Sequence, residues 1–313
     1  MSKKTKLIVS GCSYTYGGND KDTITWGEQL AERLDMELVN LSCNGCGNEF
    51  ILTTLTKEIS KTKKDDIGLV IAMWSEFEGI DFPRSSGSFR FDERKQEDGT
   101  IYYKPVSETI DFNYEYKNKK RNWTSVYVNV VYGEEDRQNM ISLSGISHRG
   151  AREWMDYQNS FIQYCNKHGF WSKLACLDQS FEKFLHFKNM VRQNNLPYLQ
   201  CVGPNPWVRG EPNDSARRLK INYLAKNLIS HPFFDELDEP NFVGFPLFTN
   251  IGGYALDDIL PLESGTEPEV TGFTVGRYNR SYRISQTDSH PNTKGHKLFA
   301  DHLYDRYKKI YGK

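Results

Sequence analysis

Residues 67–74 read IGLVIAMW, a run that is apolar almost throughout and shows no alternation. A strand with only one face in a core alternates apolar and polar side chains, whereas a strand covered on both faces is apolar along its length. The residues before this run repeat the theme: KLIV (6–9) reads as a strand, WGEQLAERLD (26–35) as an amphipathic helix, MELVNLS (36–42) as a second strand and NEFILTTLTKEISK (48–61) as a second helix. Short apolar strands alternating with helices of this length fit a parallel sheet with helices on both faces. The expected fold class is therefore α/β, a three-layer α/β/α arrangement around a mainly parallel central sheet.

The pattern breaks from DFPRSSGSFRF (81–91) to about His168, where Gly, Ser, charge and alternating aromatics take over. TIYYKPV (100–106), IDFNYEY (110–116) and TSVYVNVVYG (124–133) alternate like hairpin strands. Helical periodicity resumes in DQSFEKFLHFKNMVRQNN (178–195), followed by LPYLQCV (196–202) as a fourth strand and SARRLKINYLAKNLISH (215–231) as a helix. A long irregular stretch, 232–287, precedes TKGHKLFADHLYDRYKKIYG (293–312), a helix with Leu298, Phe299, His302, Leu303 and Tyr307 near one face. The expected organisation is one α/β domain over 1–313, with a core of about 1–80 and 169–313 and a β-rich insertion at 81–168. The aromatic and Arg content of that insertion suits a surface for a protein partner, and equally a β-extension packing on its own core.

At 313 residues the chain can bury a sizeable core without staples. Forty basic against forty-one acidic side chains leave a net charge of −1, no field for gathering nucleic acid. The basic aromatic stretch YKNKKRNW (116–123) is local and offset by nearby acids, so no nucleic-acid partner is expected. No run approaches the roughly 18 apolar residues of a membrane span. The charged start MSKKTK leads into an apolar stretch too short for a secretory signal, so synthesis in the cytoplasm is expected, with a place in a virion open if the chain is phage-encoded. Cys12, Cys43, Cys46, Cys165, Cys176 and Cys201 are not spaced like a disulfide framework, and the lone Cys43-x-x-Cys46 pair lacks the further ligands of a structural zinc. Free thiols and no bound metal are expected.

Chemistry gathers in four loops. VSGCSYTYG (9–17) places Ser13 just past the first strand, where open α/β sheets bind ligands. NLSCNGCGN (40–48) follows the second strand and holds Gly45, whose backbone N–H is unobstructed. MWSEF (73–77) follows the third strand and holds Ser75. TDSHPNTKGH (287–296) sets Asp288 and His290 before the last helix. A hydroxyl, a base, a group orienting the base and donors for an oxyanion are what nucleophilic acyl transfer needs. Taken singly, each has a plainer reading: Ser13 and Gly45 as turn residues, Asp288 as a helix cap.

Together the four loops resemble the SGNH hydrolases, the GDSL-type esterase and lipase superfamily, along nearly the whole chain. Gly11-Cys12-Ser13 stands where that family has its Gly-Asp-Ser nucleophile motif. Val39-Asn40-Leu41-Ser42-Cys43-Asn44-Gly45 matches the segment carrying its oxyanion-hole glycine, and Asp288 and His290 match its terminal Asp and His. Two positions depart. Met73-Trp74-Ser75-Glu76 replaces Gly-x-Asn-Asp, so Ser75 stands for an amide donor, and Asp288 lies two residues before His290 where three is usual. The Trp74-Ser75 replacement is also similar to divergent phage-encoded SGNH-like proteins. The resemblance implies a serine esterase with Ser13, Asp288 and His290 as triad, Ser13, Gly45 and Ser75 as oxyanion donors, no cofactor, and a small acyl ester such as an acetylated carbohydrate as substrate. The alternative is a binding or structural protein on the same scaffold, weak or inactive as a catalyst and virion-associated.

Overall fold

The first apolar run, Lys6–Gly11 (β1), enters a five-stranded sheet next to its edge, and the chain then turns at once into a one-turn helix, Ser13–Tyr16 (α1). The computed structural model describes residues 4–18, 20, 22–77, 79–83, 91–95, 101–105, 123–127, 159–160, 163–164, 167–168, 173–204, 214–261, 280–285, 288 and 290–312. The chain continues through Trp26–Leu34 (α2), Glu37–Asn40 (β2), Asn48–Lys61 (α3) and Ile67–Trp74 (β3). Gly79–Pro83 (β4), Phe91–Lys95 (β5), Ile101–Pro105 (β6) and Trp123–Tyr127 (β7) follow, then Lys173–Gln193 (α4) and Tyr198–Val202 (β8). Asp214–Ile229 (α5), Phe234–Leu237 (α6), Phe242–Val243 (β9) and Thr293–Tyr311 (α7) complete the order.

The main sheet runs β2-β1-β3-β8-β9 and every pairing in it is parallel. The alternation of side chains along β1 and β3 sorts the core into two layers. Ile8, Val70, Ala72 and Trp74 pack with α3, α4 and α5, while Leu7, Val9, Leu69, Ile71 and Met73 pack with α2 and α7. This is the three-layer α/β/α fold, and it explains why β3 shows no polar face: both of its faces are under helices. Phe181, Phe184 and Phe187 of α4 are fully buried beneath the sheet, and Trp74 lies 4.8 Å from Phe184, ring to ring. Burying each such ring stabilises the fold by about 2–3 kcal/mol.

The strand order puts the topological switch between β1 and β3. From β1 the chain crosses to β2 on one side, and from β2 it returns past β1 to β3 on the other, so the two connections diverge and leave a crevice at the carboxyl end of β1. Ser13 stands at that end. Two of the alternating fragments after β3 are strands: β6 pairs antiparallel with β5, and β7 pairs antiparallel with β4. IDFNYEY and most of residues 81–168 lie outside the described residues. The irregular stretch 232–287 conceals a parallel strand, β9, only two residues long. Among the described residues no helix is long and apolar enough to cross a membrane.

One side chain joins β4 to the main layers. Asp81 is buried, and its carboxylate accepts the backbone N–H groups of Gly47 and Phe50, both at 2.8 Å, at the start of α3. The first N–H groups of a helix lack partners within the helix, and a carboxylate there also meets the positive end of the helix dipole. Gly47 itself has no side chain with which to cap α3. Asp81→Ala should therefore destabilise the protein by about 2 kcal/mol, measured as a lower urea midpoint at unchanged slope; a loss below about 0.5 kcal/mol would show that water replaces the carboxylate.

Candidate active site

Ser13 is the first residue of α1, directly after the extended Cys12 (φ −86°, ψ −154°). The sharp strand-to-helix turn needs Gly11, because a Cβ there would fall 2.0 Å from Thr15 Oγ1 and 3.0 Å from the Met73 carbonyl oxygen. The turn raises the Ser13 side chain above the sheet, where its hydroxyl donates to His290 Nε2 at 2.7 Å. On the far side of the ring His290 Nδ1 lies 2.5 Å from Asp288 Oδ1, and the His290 backbone N–H donates to the same oxygen at 3.0 Å. Since a carboxylate only accepts, Nδ1 carries the ring proton and Nε2 is the acceptor facing Ser13. Nε2 is thus placed to take the serine proton.

The two-residue spacing of Asp288 and His290 works because the segment folds into a tight hairpin. Ile284 N–H donates to the His290 carbonyl (2.9 Å), Ser285 N–H to the Asp288 carbonyl (3.2 Å), and Asp288 N–H to Ser285 Oγ (3.0 Å). The helix-capping role open to Asp288 falls instead to Asn292, whose side chain accepts from the N–H groups of Lys294 and Gly295. Burial alone would push the Asp288 carboxyl up, but the hydrogen bonds and charge of His290 hold it below the usual carboxylate range.

The second loop is tied to the first. Cys43 N–H donates to the Gly11 carbonyl (3.2 Å), and Asn44 Nδ2 donates to the Gly18 carbonyl (2.8 Å). Gly45, the residue after Asn44, has φ +71° and open space where a side chain would stand. Gly18 in turn packs against His290: a Cβ there would lie 3.2 Å from His290 Cβ and 2.9 Å from Ile284 Cδ1.

Ser75 is buried, and both its polar groups face the protein. Its N–H donates to Asn48 Oδ1 at 2.8 Å, and Asn48 Nδ2 donates to Ser180 Oγ at 3.2 Å. Its hydroxyl reaches the Cys12 sulfur. Burial pushes the Cys12 thiol up against the opposing hydrogen bonds from Tyr14 N–H and the Ser75 hydroxyl, so it stays protonated beside the nucleophile candidate. The Cys46 thiol is likewise pushed up, by its hydrogen bond with Cys43 and by burial. Cys12, Cys43, Cys46, Cys176 and Cys201 are free, and Cys165 lies outside the described residues. Among the described residues no group of three or more metal-ligating side chains comes together.

Sequence reasoning passed over four residues around His290. Tyr14 stacks its ring 5.4 Å from the imidazole at 58°. Asp257 and Arg283 form an ion pair of 2.6 Å with side chains only 1% and 3% exposed. Burial pushes the Asp257 carboxyl up, opposed by Arg283, the Tyr14 hydroxyl and His290. His296, one turn into α7, is fully buried, and its imidazole is pushed down to about 3 by burial and by His290.

No protein-family model matches the chain, and no curated protein matches it. Among solved structures, an acetyl xylan esterase (Est2A) from the rumen bacterium Butyrivibrio proteoclasticus is similar at a TM-score of 0.35 and 11% identity, over 100% of this chain. The chain spans 66% of that protein's length. A likeness this distant carries no argument about activity.

A carboxyl held lower in the folded than in the unfolded state adds stability above its unfolded value, about 3.9, that fades as the pH falls through the folded one. Asp288→Asn should be less stable than wild type near pH 7, with the gap narrowing as the pH falls below about 3.9. Urea unfolding at both pH values checks this; a gap that does not depend on pH would contradict it.

Proposed function

We propose that the chain is a serine esterase that hydrolyses a small acyl ester, with acetyl groups on carbohydrate as the substrate class. The observation that carries the reading is the hydrogen-bonded series Ser13 Oγ, His290 Nε2, His290 Nδ1, Asp288 Oδ1 at the switch point of the sheet. A serine hydroxyl is a poor nucleophile until a base takes its proton, and an imidazole can hold that proton only if a carboxylate orients and balances it.

In this mechanism Ser13 Oγ attacks the acyl carbon while its proton passes to His290 Nε2. The oxyanion lies against the backbone N–H groups of Ser13 and Gly45, with the Ser75 hydroxyl as a third donor when it turns from the Cys12 sulfur. The imidazolium returns the proton to the departing alcohol, and water activated by the same imidazole then releases the acid from Ser13. Cys12 has no part beyond packing. The SGNH-like fold, as one domain with 81–168 inserted, provides the frame. The aromatic and polar residues of 81–168 suit a sugar better than a long acyl chain.

A specific observation favours the second reading, a binding protein with residual chemistry: the N–H of Ser75 is spent on Asn48 and its hydroxyl faces Cys12. One removed oxyanion donor costs about 3 kcal/mol of barrier. Turnover of aryl acetates and acetylated sugars separates the two. Ser13→Ala should abolish cleavage and leave the melting temperature close to wild type, and wild-type activity should rise with pH across the range, about 5 to 8, where imidazoles lose their proton. Turnover retained in Ser13→Ala, or none in wild type, would defeat the esterase reading.

A further inference from the structure

We propose that Asp257 is a positioning residue for His290, acting through Tyr14 on one side of the Ser13–His290 contact and through Arg283 on the other. The inference rests on the reading of Ser13 and His290 as the reacting pair. Its basis is a juxtaposition: one buried carboxylate bonds both loops that must meet for that pair to form. Tyr14 directly follows Ser13, donates its hydroxyl to Asp257, and lays its ring against His290. Arg283 stands at the base of the hairpin that carries Asp288 and His290, bridged by backbone to Pro291, and its guanidinium donates to Asp257 Oδ1. The Arg283 carbonyl also accepts from Asn292 Nδ2 at 2.9 Å, which fixes the start of α7 to the same point.

Asp257 is itself anchored to the sheet. It lies in a short 3-10 turn, Leu256–Ile259, and its N–H donates to the carbonyl of Gly203, the residue following β8, at 3.0 Å. Movement of the hairpin relative to the sheet's carboxyl edge therefore requires breaking a buried ion pair. Such a pair is a poor source of net stability, because desolvating two charges offsets most of their attraction, but breaking it is costly. A contact of that kind is suited to fixing geometry, and a misplacement of about 1 Å in a reacting pair slows chemistry by about a hundredfold.

The groups that face His290 are Ser13, Asp288, Tyr14, the Asp257–Arg283 pair and His296. Asp257→Asn keeps the shape and an acceptor for Tyr14 but removes a negative charge and leaves Arg283 unbalanced, which disfavours a protonated His290. Tyr14→Phe keeps the ring and removes the link to Asp257.

The test follows the histidine ring resonances by NMR across pH in wild type, Asp257→Asn and Tyr14→Phe, with His290 assigned by its loss in His290→Gln, alongside aryl acetate turnover. In Asp257→Asn the His290 ring signals should move away from their wild-type positions. In both variants kcat should drop about tenfold with KM held within about twofold. Tyr14→Phe, the milder change, carries the test if Asp257→Asn fails to fold; in it the His290 ring signals should move. Folded variants whose His290 signals and kcat match wild type would overturn the proposal. If wild type and Ser13→Ala prove equally inactive, the esterase reading falls, while the His290 signals still decide whether Asp257 positions the ring.

Discussion

The hydrogen bond from Ser13 to His290 joins residues 277 positions apart, and no local structure can hold such a contact. It depends on the parallel sheet. β1 delivers Ser13 at the switch point, and α7, packed on α2 across the same face, fixes where the hairpin before it must lie. The helix face that reads as an amphipathic stripe in the sequence serves this purpose: Phe299, Ala300 and Leu303 are fully buried against the layer that holds Leu7 and Val9. Because each layer is close-packed, a displacement of α7 would be felt at His290.

Supports for the site come from side chains that complete backbone hydrogen bonding between loops. Asn44 links the Gly45 loop to Gly18, Gly18 lies against His290, and Asn48 holds the N–H of Ser75. Asp81, from the first strand after the continuous α/β pattern stops, caps the helix that follows the Gly45 loop. Residue 81 is thus structurally committed to α3.

The parts legible in the sequence are those governed by local periodicity. IGLVIAMW is a buried central strand, and the helix ends of NEFILTTLTKEISK fall where the residues suggest, since each signal is complete within one element. The Ser13, Asp288 and His290 alignment was legible only through a family resemblance, because nothing near Ser13 in the chain announces a base. β9 escaped notice since two residues, Phe242 and Val243, offer no period to detect. The Asp257–Arg283 pair was equally hidden: in the sequence each is one charge among many, and burial arises only when β8, β9 and the hairpin assemble. Capping by Asn292 in place of Asp288 turned on a hairpin geometry that the spacing alone does not specify.

In the proposed mechanism Ser13 is an activated nucleophile, with His290 as its base and Asp288 as the group orienting that base. The most direct measurement is covalent labelling with a fluorophosphonate probe, followed by mass mapping of the modified peptide, in wild type and His290→Ala. Ser13 should be phosphonylated stoichiometrically in wild type and at least about a hundredfold more slowly without the imidazole. An unlabelled Ser13 in folded wild-type protein, or labelling at an unchanged rate in His290→Ala, would contradict it.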